Sequence, residues 1–167
     1  PQTEHDACGI GFVAHLRGEK SHRIVQDALT MLENMEHRGA CGCEENTGDG
    51  AGILMQIPHE FYKKETTLLK IELPDLGKYG TGFIFFPQND EDRKKCKDFI
   101  ADTAKKLNFT VLGYRPITTN NTPIGPTAQS TEPIIEQLFI KPEFDFKEDI
   151  ELFGYQFDKD SLDFAPT

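Results

Sequence analysis

Cys8 stands near the middle of the run EHDACGIGFVAHL, Glu4 to Leu16, with Gly9 and Gly11 close behind it. Cysteine is intrinsically very nucleophilic, and a residue without Cβ lets a ligand or a second backbone approach the chain closely. That combination suits a nucleophile with substrate lying over it. The plainer reading of Cys8 is a small buried hydrophobe, the usual role of a free cysteine. A second set of reactive side chains lies in EHRGACGCEENTGDGAG, which carries Cys41 and Cys43. His5 and Cys8 with Cys41 and Cys43 supply four ligands that would close a tetrahedral zinc site and make the chain a metal-stabilised binding module. Cys-x-Cys is a tight spacing, however, and nothing else in the chain fits a zinc ribbon or finger. The simpler place for Cys41 and Cys43 is the lining of the glycine-rich loop beside Cys8.

The elements that must position these residues follow from periodicity. From Cys8 onward Ile10, Phe12, Ala14 and Leu16 alternate with Gly9, Gly11, Val13 and His15, which predicts a strand with the cysteine at its mouth. Ile24, Val25, Ala28, Leu29, Leu32 and Met35 recur at helical spacing, so a helix is expected from His22 to Glu36, with Ser21 as N-cap and Gly39 as the stop. One face of it should pack on the sheet that holds the first strand. A glycine-rich loop from Gly39 to Asp49 then leads into a short apolar strand, Ala51 to Ile57, ended by Pro58.

Farther along, Pro58 to Leu68 reads as a short helix with proline at its first position. Thr81 to Phe86 reads as a strand, and Asn89 or Asp90 caps a helix to Leu107 whose buried face is Cys96, Phe99, Ile100, Thr103, Ala104 and Leu107. Cys96 is thus read as core. Phe109 to Ile117 and Ile134 to Ile140 are strands separated by turn residues Thr119 to Pro126, a strand, helix, strand order resembling a ferredoxin-like unit. Beyond Ile140 the pattern degrades into an acidic stretch with Phe144, Phe146, Phe153, Phe157 and Phe164 scattered through it.

Bulk properties narrow the classes of function. The chain has 167 residues, one domain or a piece of one, and a formal net charge of -10. Arg93-Lys94-Lys95 is the one cationic cluster, so no nucleic-acid footprint is present. No apolar run approaches the roughly 18 residues of a membrane span, and no secretory signal pattern opens the chain. Four irregularly spaced cysteines do not make a disulfide framework, which favours a reducing, cytoplasmic setting.

EHDACGIGFVAHL, HRIVQDALTMLENMEHRGACGC and NTGDGAGILMQIPHEF resemble, in sequence and spacing, the opening of the glutamate synthase large-chain family, whose N-terminal domain is a class II glutamine amidotransferase. The likeness resumes at VLGYRPI and IGPTAQSTEPIIEQLFI and so extends to Ile140. It implies an α+β fold, the four-layer αββα sandwich of the N-terminal-nucleophile (Ntn) hydrolases, here incomplete. It divides the chain into a leader-like segment 1–7, an amidotransferase part 8–140 and an unplaced tail 141–167. It implies that Cys8 is the nucleophile and becomes residue one once the preceding peptide is removed. Arg38 of the EHRG motif matches a family arginine close to that cysteine; its alternative role is a cation suited to the C-terminal end of a helix.

A terminal cysteine makes chemical sense for glutamine hydrolysis. Its thiol attacks the carboxamide carbon, while its own α-amino group, with a pKa of about 7.7–8.0, takes the thiol proton and later protonates the leaving ammonia. No histidine is needed, so His15, His22, His37 and His59 are read as packed or surface residues and His5 as part of the leader. With Pro1 to Ala7 attached the nitrogen of Cys8 is an amide and no base, and the family's oxyanion and glutamine-clamping residues lie beyond the matched region. The isolated chain is therefore expected to be inactive, with a catalytically dead structural or regulatory domain as the alternative. Implied partners are glutamine, the rest of the large chain and a small electron-donating subunit. No nucleic-acid or membrane partner is expected, whereas self-association of the incomplete fold is. No cofactor is assigned to this chain; FMN and an iron–sulfur cluster belong to the full-length family enzyme, which aminates 2-oxoglutarate with the ammonia released.

Overall fold

The computed structural model describes residues 9–35 and 50–144. Their elements are, in order, α1 (His22–Asn34), α2 (His59–Leu68), β1 (Gly80–Phe86), α3 (Asp90–Lys106), β2 (Phe109–Pro116), α4 (Pro126–Thr131) and β3 (Ile134–Pro142). The chain divides into two compact units, Pro1–Pro58 with Thr119–Glu132, and His59–Thr118 with Pro133–Thr167.

In the first unit, α1 forms where its apolar period predicts. The Ser21 side chain accepts a hydrogen bond from the Arg23 amide at its start, and the helix closes at Met35. Ile24, Val25, Ala28, Met31, Leu32 and Met35 are half-buried along one stripe, while Leu29 is exposed. The two strands expected on either side of α1 do not form. Residues 9–16 and 51–57 have no ladder partner among the described residues, and Ile10, Phe12 and Leu16 stand 98%, 91% and 102% exposed. The sheet on which α1 was to pack is accordingly not built from these segments. Alternation marks a chain suited to a pleated face, but a strand needs a neighbour to satisfy its amides, and isolated two-stranded ribbons are marginal in water.

The second unit is a three-stranded sheet in the order β1-β3-β2, antiparallel throughout, with β1, α3 and β2 forming a split βαβ around the central β3. The register sets the faces. Phe86, Ile84, Gly82 and Gly80 pair with Ile134, Glu136, Leu138 and Ile140 on one side, joined by Tyr114 opposite Leu138. Thr81, Phe83 and Phe85 lie with Phe139, Gln137 and Ile135 on the other, joined by Arg115 and Gly113.

One helix packs against each face, α2 leaving Phe83 and Phe85 of its face exposed. α2 brings Tyr62 edge-on to the fully buried Phe139, with centroids 5.4 Å apart, and Tyr79 flanks the same ring at 6.4 Å. α3 lies on the opposite face, where Lys97 reaches Glu136. Asn89 caps α3 through its side chain, accepting from the Asp92 amide. Asn108, in the left-handed region at φ 59°, ends that helix, and Lys70 at φ 59° does the same after α2.

The phase of α3 differs from the expected one. Its sheet-facing stripe is Arg93, Lys97, Ile100 and Ala104, so Cys96 is exposed, as are Phe99 (71%) and Leu107 (61%). A lysine sits on the inner face because its stem covers apolar surface while its ammonium finds Glu136, and that rotates the helix by about one residue from the all-apolar assignment. At the end of β3, Phe144 packs edge-on against Phe109 at 5.3 Å; the remaining phenylalanines of the tail lie outside the described residues. The result is an α+β arrangement with mixed helices and a small antiparallel sheet.

Candidate functional site

Cys8 and Arg38 lie outside the described residues, as do His5, Cys41 and Cys43. What the structure places is the chain on either side of them. Gly9 to Leu16 leads directly from Cys8, α1 ends four residues before Arg38, and residues 50–57 follow the glycine-rich loop. The segment from Cys8 meets α1 at one crossing point: a Cβ built on Gly11 would fall on the Met31 sulfur, with Met31 Cγ and Cε at 3.2 and 3.3 Å from it. A side chain at position 11 would have to displace the Met31 thioether, which is the close approach the glycine's position in the sequence suggested.

Beyond the crossing the chain turns at His15 to Glu19. The Gly18 amide donates to the His15 carbonyl at 2.9 Å, and the Glu19 amide donates to His15 Nδ1 at 3.1 Å. A shallow depression of about 330 Å³ lies along this turn, lined by Ala14, Leu16 and Arg17 among others. His15 is thus a turn residue, His22 is exposed at the start of α1, and His59 Nδ1 shares a hydrogen bond of 3.1 Å with the Tyr79 hydroxyl. His15 and His59 are thus hydrogen-bonded and His22 is a surface residue, while His37 lies outside the described residues.

In the second unit two polar clusters escaped the sequence reading. Lys97 Nζ donates to both carboxylate oxygens of Glu136, at 2.8 and 2.7 Å, and stands over the Phe86 and Tyr114 rings at 5.3 and 4.7 Å. Burial first, and the Glu136 charge second, push the Tyr114 hydroxyl above its usual pKa. On the other face Arg115 Nε donates to the buried Gln137 Oε1 at 3.0 Å, while its guanidinium stacks over Phe61 and lies 3.5 Å from Glu65. The signal available in the sequence was Glu136-Gln137 itself, two polar residues inside an apolar strand, each needing a buried partner. In both clusters the charged groups are paired and tie a helix to the sheet, while the Tyr114 hydroxyl in the first has no hydrogen-bond partner among the described residues.

Carboxylates in loops show a third pattern. Glu132 accepts from Asn121 Nδ2 at 2.9 Å and Thr119 Oγ1 at 2.8 Å, and these hydrogen bonds hold its carboxyl below the usual glutamate range. Among the described residues no group of three or more His, Cys, Asp or Glu comes together as a metal site, and no helix is long and apolar enough to cross a membrane.

Comparison with known proteins adds what this geometry leaves open. The sequence model for glutamine amidotransferases class-II matches residues 8–159. Glutamate synthase [NADH] of Saccharomyces cerevisiae is 47% identical over 153 residues, covering 89% of this chain and 7% of the yeast protein. The glutamate synthase [NADPH] large chain of Bacillus subtilis is 43% identical over 150 residues, covering 90% of this chain and 10% of its own length. Ferredoxin-dependent glutamate synthase 2 of Synechocystis is 36% identical over 137 residues, covering 82% and 9%. The chain therefore spans a tenth or less of the length of these relatives.

Proposed function

The chain belongs to the class II glutamine amidotransferases, and we propose that it forms the glutamine-hydrolysing part of a glutamate synthase large chain, with Cys8 as nucleophile. The observation that carries this reading is where the family match begins, at Cys8 itself. A nucleophile that opens its domain has its own α-amino group within reach as base, so the residue order matches the chemistry.

In this reading the Cys8 thiolate attacks the glutamine carboxamide carbon. Its proton passes through the α-amino group of the processed residue to the departing nitrogen, and ammonia leaves as the thioester forms. Water then cleaves the thioester, returning glutamate and the free thiol. Arg38, close behind α1, supplies a positive charge that favours the thiolate. The αββα sandwich of the Ntn hydrolases is the fold into which the β1-β3-β2 sheet and its two covering helices would be built.

The ammonia would serve a distant centre that aminates 2-oxoglutarate with electrons from flavin and an iron–sulfur cluster. The described residues do not fit an iron–sulfur cluster: Cys96 is the one cysteine among them, it is exposed, and no group of three or more His, Cys, Asp or Glu comes together. No step of this segment's reaction runs through those groups. By name the relatives differ in electron donor, NADH, NADPH or ferredoxin, while sharing this segment, so donor choice is assigned to other parts of the large chain. The test is a large chain that opens with this segment. Cys8→Ala should abolish glutamine-dependent glutamate formation and leave ammonia-dependent formation standing; loss of neither, or of both equally, would refute the assignment.

A further inference from the structure

β1 lies at one edge of the described sheet, so one row of its amides and carbonyls has no ladder partner among the described residues. The other edge, β2, is blunted by the register shift between Val111 and Gly113 and ends in Arg115 and Pro116. β1 carries no such guard. Its seven residues, Gly80–Phe86, hold neither charge nor proline, and Gly82, Phe83 and Phe85 are exposed. α3 leaves this edge open, because it packs toward β2.

We infer that β1 seats a second copy of this chain, strand against strand and antiparallel, about a twofold axis at Ile84. Opposite residues of an antiparallel pair share a face of the sheet, so a twofold axis through the sheet must fall on a residue and not between two. Centred on Ile84, the pairing sets Phe83 of each copy against the partner's Phe85, and Phe86 against the partner's Gly82. Four phenylalanine rings then gather on the face that α2 leaves open, in the cross-strand aromatic pairs that stabilise a ladder, and each exposed glycine lies opposite an aromatic ring. The ends agree in charge as well. Lys78, exposed just before the strand, comes toward the start of α3 in the second copy, where the first turn is acidic with Asp90, Glu91 and Asp92. A parallel copy would set lysine beside lysine and acidic turn beside acidic turn. A free edge, a self-matching aromatic row and complementary ends thus select a second copy of the chain as the occupant, joined into one six-stranded sheet. The inference is independent of the reading of Cys8.

The test is made on the full chain by sedimentation equilibrium and by disulfide trapping. The parent chain gives a reversible monomer to dimer equilibrium. Ile84→Cys brings its two copies to a Cα separation of about 4.5–5.5 Å, within disulfide range, so mild oxidation joins position 84 of one copy to position 84 of the other, identified by peptide mass mapping. Lys78→Cys, six residues from the axis, forms no such link to its own copy. Lys78→Glu raises the dimer dissociation constant about threefold to tenfold at low salt and less at high salt. A monomer at every concentration overturns the proposal, and the edge then belongs to another segment or partner. A dimer that Ile84→Cys does not trap also overturns it, placing the contact or the register elsewhere. If Ile84→Cys fails to fold, Lys78→Glu reads the same interface from a surface residue, and an unchanged dissociation constant then overturns the pairing.

Discussion

Lys97 on α3 and Glu136 on the central strand face each other with the ammonium 2.7 and 2.8 Å from the two carboxylate oxygens, and this ion pair fastens the helix to the sheet. The Glu136 side chain is 11% exposed and that of Lys97 32%, so the pair is only partly desolvated. Removing one member strands a charge against Phe86, Tyr114 and the strand. Glu136→Leu or Lys97→Met alone should destabilise the chain by about 1–3 kcal/mol, below the figure for fully buried pairs. The double replacement should recover most of that loss. A urea-unfolding cycle checks it; strictly additive losses would mean the two groups do not act together.

Tyr114 shares that pocket, and its hydroxyl is buried with no hydrogen-bond partner among the described residues. Tyr114→Phe should therefore leave stability at neutral pH unchanged or raise it by up to about 1 kcal/mol. Because burial raises the pKa of Tyr114 in the fold, the unfolded chain ionises first. Stability is fully present below about pH 10, the unfolded value, and falls as pH rises from there through the folded value. The phenylalanine variant should lose less stability over that alkaline range than the parent. Thermal unfolding at stepped pH measures the difference, and parallel curves would exclude Tyr114 as the source.

Gly113 on β2 is held by crowding. A Cβ there would lie 2.7 and 2.8 Å from Cδ1 and Cγ1 of Ile71, beside the register shift between Val111 and Gly113. Isoleucine is stiff at χ1 and yields poorly, so Gly113→Ala should cost about 1–3 kcal/mol. Ile71→Val in the same chain should return part of it. Equal stability of parent and Gly113→Ala in denaturant titration would show that Ile71 moves aside freely.

β1 ends the described sheet with an uncharged sequence, GTGFIFF, and leaves Phe83 and Phe85 exposed at 56% and 65%. An edge strand without charge or proline within it invites pairing with another chain. Sedimentation velocity should show concentration-dependent association that Phe83→Lys suppresses. Association unchanged by Phe83→Lys would locate the contact elsewhere.

How much of this was legible in the sequence depends on which partner each residue needed. α1 and α3 were readable because Ser21 and Asn89 cap them and their apolar period is internal to the helix. The second-unit strands were readable because Phe86 and Phe139 sit in runs bounded by proline. The inner face of α3 was not, because its central residue is a lysine whose partner, Glu136, lies 39 residues away. α4 went unread because six residues, PTAQST, carry no apolar stripe and reveal themselves only by Pro126 at the first turn. The expected strands after Cys8 and at Ala51 to Ile57, the first read from alternation and the second from a short apolar run, have no ladder partner among the described residues. Of the segment after Cys8, the close approach at Gly11 was legible as a glycine three residues beyond the cysteine, but its partner Met31 was not, since helical spacing alone marks Met31 neither as core nor as contact.

The central claim is that Cys8 is the nucleophile of a glutamine amidotransferase. Its most direct measurement is peptide mapping after treatment with a diazoketone analogue of glutamine, on chain trimmed so that Cys8 is residue one. The account predicts that the first adduct forms at Cys8, ahead of Cys41, Cys43 and Cys96, and that excess glutamine slows it. Adducts at any of the other three thiols in preference to Cys8 would contradict it.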